Sequence, residues 1–177
     1  MKTTNILISG FGGQGVLFTG KFIAYEGLLE NKEVTWLPSY GPEMRGGTAS
    51  CSVIISDTPI GSPLVPKPDV LIAMNLPSLD KFEDSVVPGG MIFYDSSLID
   101  RDVKRADVKA YAVPATKLAG EAGMPTLANM IIMGKMLKET AMFPDDAIDK
   151  TIEKVVSAKR QNLIELNKKA ISIGYAL

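Results

Sequence analysis

Few residues in this 177-residue chain have the types and spacing that chemistry needs, and they fall in two glycine-rich segments. The first is Gly10-Phe11-Gly12-Gly13-Gln14-Gly15, which satisfies G-x-G-x-x-G. It follows the short apolar run 5–9 and opens a helical pattern, the setting that a phosphate-binding turn requires. Glycines permit positive φ and close approach to backbone amides. The helix that follows offers free N–H groups and a partial positive charge to an anion. Two uses stay open on these residues: an anion site built on Gly12, Gly13, Gln14 and Gly15, or a tight strand-to-helix turn packed against a neighbour. Gln14, at the tip, is a candidate polar contact to a ligand or a partner chain.

A nicotinamide site needs one thing more, an acid after the second strand to hold the ribose hydroxyls. That strand ends in Trp36-Leu37-Pro38-Ser39-Tyr40, and Glu33 lies at its other end. The P-loop pattern fails as well, because no Lys-Ser or Lys-Thr follows Gly15.

The second segment is Ser39-Tyr40-Gly41-Pro42-Glu43-Met44-Arg45-Gly46-Gly47. A strand delivers it to the carboxyl edge of the sheet, where such folds place their sites. Gly46 and Gly47 can present consecutive amides as an anion nest, and Arg45 can clamp a phosphate or carboxylate. Arg45 and Glu43 can equally pair with each other or with another subunit.

What is missing narrows the chemistry. There is no histidine, the commonest general base and metal ligand. There is one cysteine, Cys51, and one thiol holds neither an iron–sulfur cluster, a structural zinc nor an internal disulfide. A single unpaired thiol fits a reducing, cytoplasmic setting. The net charge of −1 shows no basic excess for nucleic acid. No apolar run approaches the ~18 residues of a membrane span, and 6–8 is too short for a signal-peptide core.

The elements that position the two segments follow from periodicity. Strands are expected at 5–9, 33–37, 48–56, 70–74, 91–94 and 108–113, and helices at 16–30 and 76–85. From Pro114 onward the pattern is helical, with a buried helix at 128–137 and an amphipathic one at 159–173 that presents Leu163, Leu166 and Ala170. Strands alternating with helices predict a three-layer α/β/α domain with a mostly parallel sheet and a helical C-terminal segment, a single domain over 1–177. Cys51 reads as a small core residue. Asp95-Ser96-Ser97 reads as a cap or turn. Asn129, inside an apolar helix, reads as a brace for a loop.

Taken together, in this order and spacing, the two loops resemble those of the gamma subunit of the 2-oxoacid:ferredoxin oxidoreductases. The matching stretches are 10–16, 39–48, 69–75 (Asp69-Val70-Leu71-Ile72-Ala73-Met74-Asn75) and 129–134 (Asn129-Met130-Ile131-Ile132-Met133-Gly134). The resemblance implies a multi-subunit enzyme that oxidatively decarboxylates a 2-oxoacid to acyl-coenzyme A and CO2, with ferredoxin as acceptor. It implies partners: an alpha subunit, a beta subunit binding thiamine diphosphate and Mg, and a ferredoxin-like delta subunit with iron–sulfur clusters. This chain would bind no redox cofactor itself and would not be catalytic alone. It would support assembly and the coenzyme A side of the cavity, with Gly12–Gly15 and Arg45–Gly47 as the contacts. The stand-alone 2-oxoglutarate type is the nearest match, and the pyruvate, 2-oxoisovalerate and indolepyruvate types share the loops. The alternative from the residues alone is a stand-alone nucleotide-binding Rossmann-like module.

Overall fold

The computed structural model describes residues 2–39, 48–144, 147–156 and 161–177. One six-stranded sheet contains β1 (Thr3–Phe11), β2 (Glu33–Ser39), β3 (Thr48–Ser56), β4 (Val70–Ala73), β5 (Met91–Asp95) and β6 (Lys109–Val113), in the order β2-β3-β1-β4-β5-β6. β1, β4, β5 and β6 are parallel neighbours, and β3 runs antiparallel to both β1 and β2. The sheet is therefore mostly parallel, as expected, with one reversed strand that periodicity does not reveal. The reversal has a local cause. Residues 40–47 are too few for the helical crossover that a parallel pair needs, so β2 and β3 pair as a hairpin.

Because β3 opposes both neighbours, β2 points the same way as β1. Ser39 and Ser9 are both in register with Ser50, and Thr48 opposes Phe11. Both flanks of segment 40–47 thus stand at the carboxyl edge, beside the turn that leaves β1.

Among the described residues the helical stretches form six helices: α1 (Val16–Leu29), α2 (Leu76–Phe82), α3 (Ala115–Glu121), α4 (Ala128–Thr140), α5 (Ala147–Val155) and α6 (Gln161–Tyr175). The single helix expected at 76–85 is α2 plus a 3₁₀ turn at Glu83–Ser85. Alternation along the strands divides the core in two. Ile6, Ile8, Val70, Ile72 and Phe93 face α1 and the C-terminal helices. Leu7, Leu71, Ala73, Ile92 and Tyr94 face Leu79 of α2, with Val86 and Ile99. The second layer is thin and is held by arginines. Arg101 makes two 3.0 Å bonds to the Glu83 carboxylate and two more to Asp80 Oδ1. Arg105 donates to the carbonyls of Glu83 and Val86.

The face expected of α6 is corrected. Leu166 is 37% exposed, and the buried stripe is Asn167, Ala170, Ile171 and Gly174. α6 crosses α4 so closely that a Cβ on Gly174 would strike the Ile131 carbonyl, and one on Gly134 the Ile171 carbonyl. Two glycines fix this contact, and apolar periodicity does not register glycine.

Candidate functional site

β1 ends in the glycine turn, and α1 begins at Gly15. Gly13 (φ 95°) and Gly15 (φ 75°) both take the left-handed conformation that other residues adopt at a cost. Gly15 is also pressed against α4. A Cβ there would overlap the Asn129 amide. Asn129 Nδ2 donates to Thr19 Oγ1 at 3.1 Å and to the Gly15 carbonyl at 3.4 Å, so Asn129 braces the turn as its sequence position suggests. Its Oδ1 has no partner among the described residues.

Gln14 holds the turn from the other side. Its Oε1 accepts from the Phe11 N–H at 2.6 Å and from Asn75 Nδ2 at 3.2 Å, and its Nε2 donates to the Met74 carbonyl at 3.1 Å. Asn75 is 2% exposed and caps α2 by accepting from the Ser78 N–H at 2.9 Å. β1 leads through α1 to β2 on one side of the sheet, and β4 leads through α2 to β5 on the other. The gap between β1 and β4 is therefore the topological switch point, where open α/β sheets bind their ligands. Here the Gln14 carboxamide spans it.

The open space lies on the other flank of the turn. A cleft of about 320 Å³ is lined by Phe11, Gly12, Gly13, Val16, Phe18 and Ala49, among others. Gly15, the N-cap of α1, has no side chain to cap it, so among the described residues the amides of the first turn keep their donor capacity. No ionisable side chain lines the cleft among the described residues. Its described residues can hold a ligand by backbone dipoles and apolar contact, and they offer no general acid or base. Arg45, Gly46 and Gly47 lie outside the described residues, but Ala49 of the cleft follows that segment closely in sequence.

The other candidates have structural employment. Asp95 is fully buried and accepts from the Ser97 N–H at 3.0 Å and from Thr116 N–H and Oγ1 at 3.2 and 2.5 Å, capping the start of α3. Cys51 is fully buried against Gly20, and burial pushes its thiol up to about 12. Among the described residues no group of three or more His, Cys, Asp or Glu is placed to hold a metal ion. No helix among them is long and apolar enough to cross a membrane.

Sequence reasoning missed Glu26. It is fully buried in α1, both carboxylate oxygens lack partners among the described residues, and burial, aided by Glu30, pushes its pKa up to about 8. The one available signal is that Thr19, Phe22 and Glu26 fall on a single helical stripe.

These features define an α/β chain with a filled switch point and, beside it, a cleft lined by no ionisable side chain among the described residues. Residues 5–177 match the Pyruvate ferredoxin/flavodoxin oxidoreductase family, and the chain belongs to that family. It is 40% identical over 169 residues to ketoisovalerate oxidoreductase subunit VorA of Methanothermobacter thermautotrophicus, covering 96% of this chain and 35% of that one. It is 35% identical over 173 residues to 2-oxoglutarate synthase subunit KorC of Methanocaldococcus jannaschii, covering 96% and 91%. The chain thus spans about a third of the VorA relatives' length and nearly all of KorC. Its fold matches the crystal structure of a keto/oxoacid ferredoxin oxidoreductase gamma subunit from Geobacter sulfurreducens, with TM-score 0.83, 28% identity and coverage of 98% and 96%.

Proposed function

We propose that this chain is the gamma-type subunit of a 2-oxoacid:ferredoxin oxidoreductase that converts a 2-oxoacid and coenzyme A to acyl-coenzyme A and CO2 while reducing ferredoxin. Its partners are an alpha chain, a beta chain holding thiamine diphosphate and Mg, and a ferredoxin-like delta chain with iron–sulfur clusters, all in the cytoplasm. The chain holds none of these groups. It contributes to assembly and forms part of the coenzyme A side of the cavity through Gly12, Gly13, Gly15, Arg45, Gly46 and Gly47, with Gln14 in the same turn.

The observation that carries this reading is the cleft beside the glycine turn. It has free amides and apolar walls and lacks any ionisable side chain among the described residues, which suits a rim whose reacting groups come from other chains. A second feature supports the assembly role. Phe11, Tyr25, Leu28, Leu29 and Trp36, each at least 38% exposed, all fall within residues 11–36. Exposed apolar side chains of this size are available for burial by a partner chain.

The proposed 2-oxoacid is 2-oxoglutarate, supported by the KorC relatives, whose length this chain matches. The branched 2-oxoisovalerate is the second reading, supported by the higher identity to VorA. Co-expression with and without alpha, beta and delta chains tests the role, with ferredoxin reduction measured on both acids. The expected result is coenzyme A-dependent activity only in the full assembly, with 2-oxoglutarate preferred. Activity of the isolated chain, or full activity without it, would sink the proposal.

A further inference from the structure

We infer that Gln14 is a positioning residue: its carboxamide occupies the switch-point crevice as an internal ligand and joins the glycine turn and the start of α2 into one rigid platform. The inference rests on the proposed role of the turn as the rim of the coenzyme A side.

The hydrogen bonds run across the gap between β1 and β4. One oxygen serves the Phe11 N–H on the β1 side and Asn75 Nδ2 on the β4 side, and the nitrogen serves the Met74 carbonyl. All three partners belong to the two loops that leave the sheet in opposite directions. The Met74 N–H is bound in turn to the Ser9 carbonyl at 2.8 Å. Asn75, held by Gln14, sets the first turn of α2 through Ser78.

The crevice is shaped around this side chain. A Cβ on Gly10 would come within 2.7 Å of Gln14 Oε1 and 2.8 Å of Met74 Cβ. The side chain is bound through both polar atoms, so it has little to offer a ligand directly. Its effect on binding is indirect: it sets where the Gly12 and Gly13 amides stand and leaves the cleft on the Phe11 and Ala49 flank as the open approach.

Each atom of the amide has a definite use, which makes the role testable by near-isosteric change. In Gln14→Glu the donor to the Met74 carbonyl becomes an acceptor facing an acceptor. In Gln14→Ala the whole bridge is gone. Both variants, together with Asn75→Ala and Gly13→Val, would be made in the assembled enzyme and assayed by steady-state kinetics. Thermal melting of the assembly would confirm that each variant is folded.

The expected result is a KM for coenzyme A raised roughly tenfold or more in both Gln14 variants, the scale of one lost hydrogen bond. kcat and the KM for the 2-oxoacid should stay close to the parent. Gln14→Ala combined with Asn75→Ala should raise the KM for coenzyme A no further than Gln14→Ala alone, because both act on it through one bridge, while the lost α2 cap lowers the melting temperature of the double variant. An unchanged KM for coenzyme A in folded Gln14→Ala, while Gly13→Val raises it, would overturn the inference and leave the rim proposal standing. An unchanged KM in Gly13→Val as well would remove the rim proposal itself. An equal loss of kcat with both substrates, or a loss of assembly, would make Gln14 a folding residue and would also overturn the inference.

Discussion

Gln14 and Asn75, 61 residues apart in sequence, meet at 3.2 Å across the gap between β1 and β4. The G-x-G-x-x-G pattern read alone suggests a dinucleotide cradle at that gap. In this fold the third variable position, Gln14, carries a side chain that fills it. The missing acid after β2 and the filled crevice are independent reasons against a nicotinamide cofactor, one chemical and one steric. Calorimetry on the isolated chain with NAD and FAD should show no stoichiometric binding. Tight one-to-one binding of either would contradict the plugged switch point.

Gly15 joins two demands that no side chain meets, a left-handed backbone and direct contact with Asn129. Gly15→Ala should destabilise the chain by at least ~1–2 kcal/mol from the backbone conformation alone, with the Asn129 clash added. Chemical denaturation would measure it. Gly13 is left-handed too, yet a Cβ there meets nothing within 4 Å. Gly13→Ala should therefore be milder than Gly15→Ala, and the reverse order would mean that the turn is braced elsewhere.

Glu26 gives the chain a pH dependence whose sign is fixed by its burial. Its folded pKa of about 8 lies above the ordinary value of 4.5, so the native state binds the extra proton. Stability should therefore be highest below about pH 4.5 as far as this group is concerned, fall through the interval up to about 8, and level off above it. The slope from one such group is on the order of 1.4 kcal/mol per pH unit inside the interval. Glu26→Gln should remove that slope and leave the variant more stable than the parent at pH 8. Urea unfolding at pH 5, 6.5 and 8 would read it, and parallel curves for parent and variant would show Glu26 to be paired or hydrated.

Cys51 should be inert. It is the only thiol, it is fully buried, and its ionisation is pushed up to about 12. The thiolate is the reactive form. Under native conditions iodoacetamide should leave it unmodified, and full alkylation should appear only in denaturant. Rapid alkylation of the folded chain would contradict the placement of β3 behind α1.

Much of this was legible in the sequence because local rules and the fold agree. The apolar run at 70–74 and the β-branched run at 48–56 give strands, the 16–30 periodicity gives a helix at Val16–Leu29, and Asp95 and Asn129 take the cap and brace roles their positions suggest. The rest depends on contacts distant in sequence. The reversed direction of β3 is set by pairing and loop length rather than by residue type. Gln14 meets Met74 and Asn75 only once β1 and β4 lie side by side. Glu26 looks like a surface residue of an amphipathic helix until α1 is covered along that stripe, and the α4–α6 crossing is written in two glycines. Gly174→Ala should accordingly cost ~1–3 kcal/mol or more, the range for overpacking. A thermal melt unchanged by that substitution would mean the crossing is looser than drawn.

The central claim is that the glycine turn is one rim of a site which other chains complete. Hydrogen–deuterium exchange of residues 10–18, followed in the isolated chain, in the assembled enzyme and in the assembled enzyme with coenzyme A, tests it most directly. The amides of Gly12, Gly13 and the first turn of α1 should exchange freely in the isolated chain, slow on assembly, and slow further when coenzyme A is added, whereas those of Phe11 and Gln14 are already hydrogen-bonded within the turn. Exchange that is the same in all three states would contradict the claim.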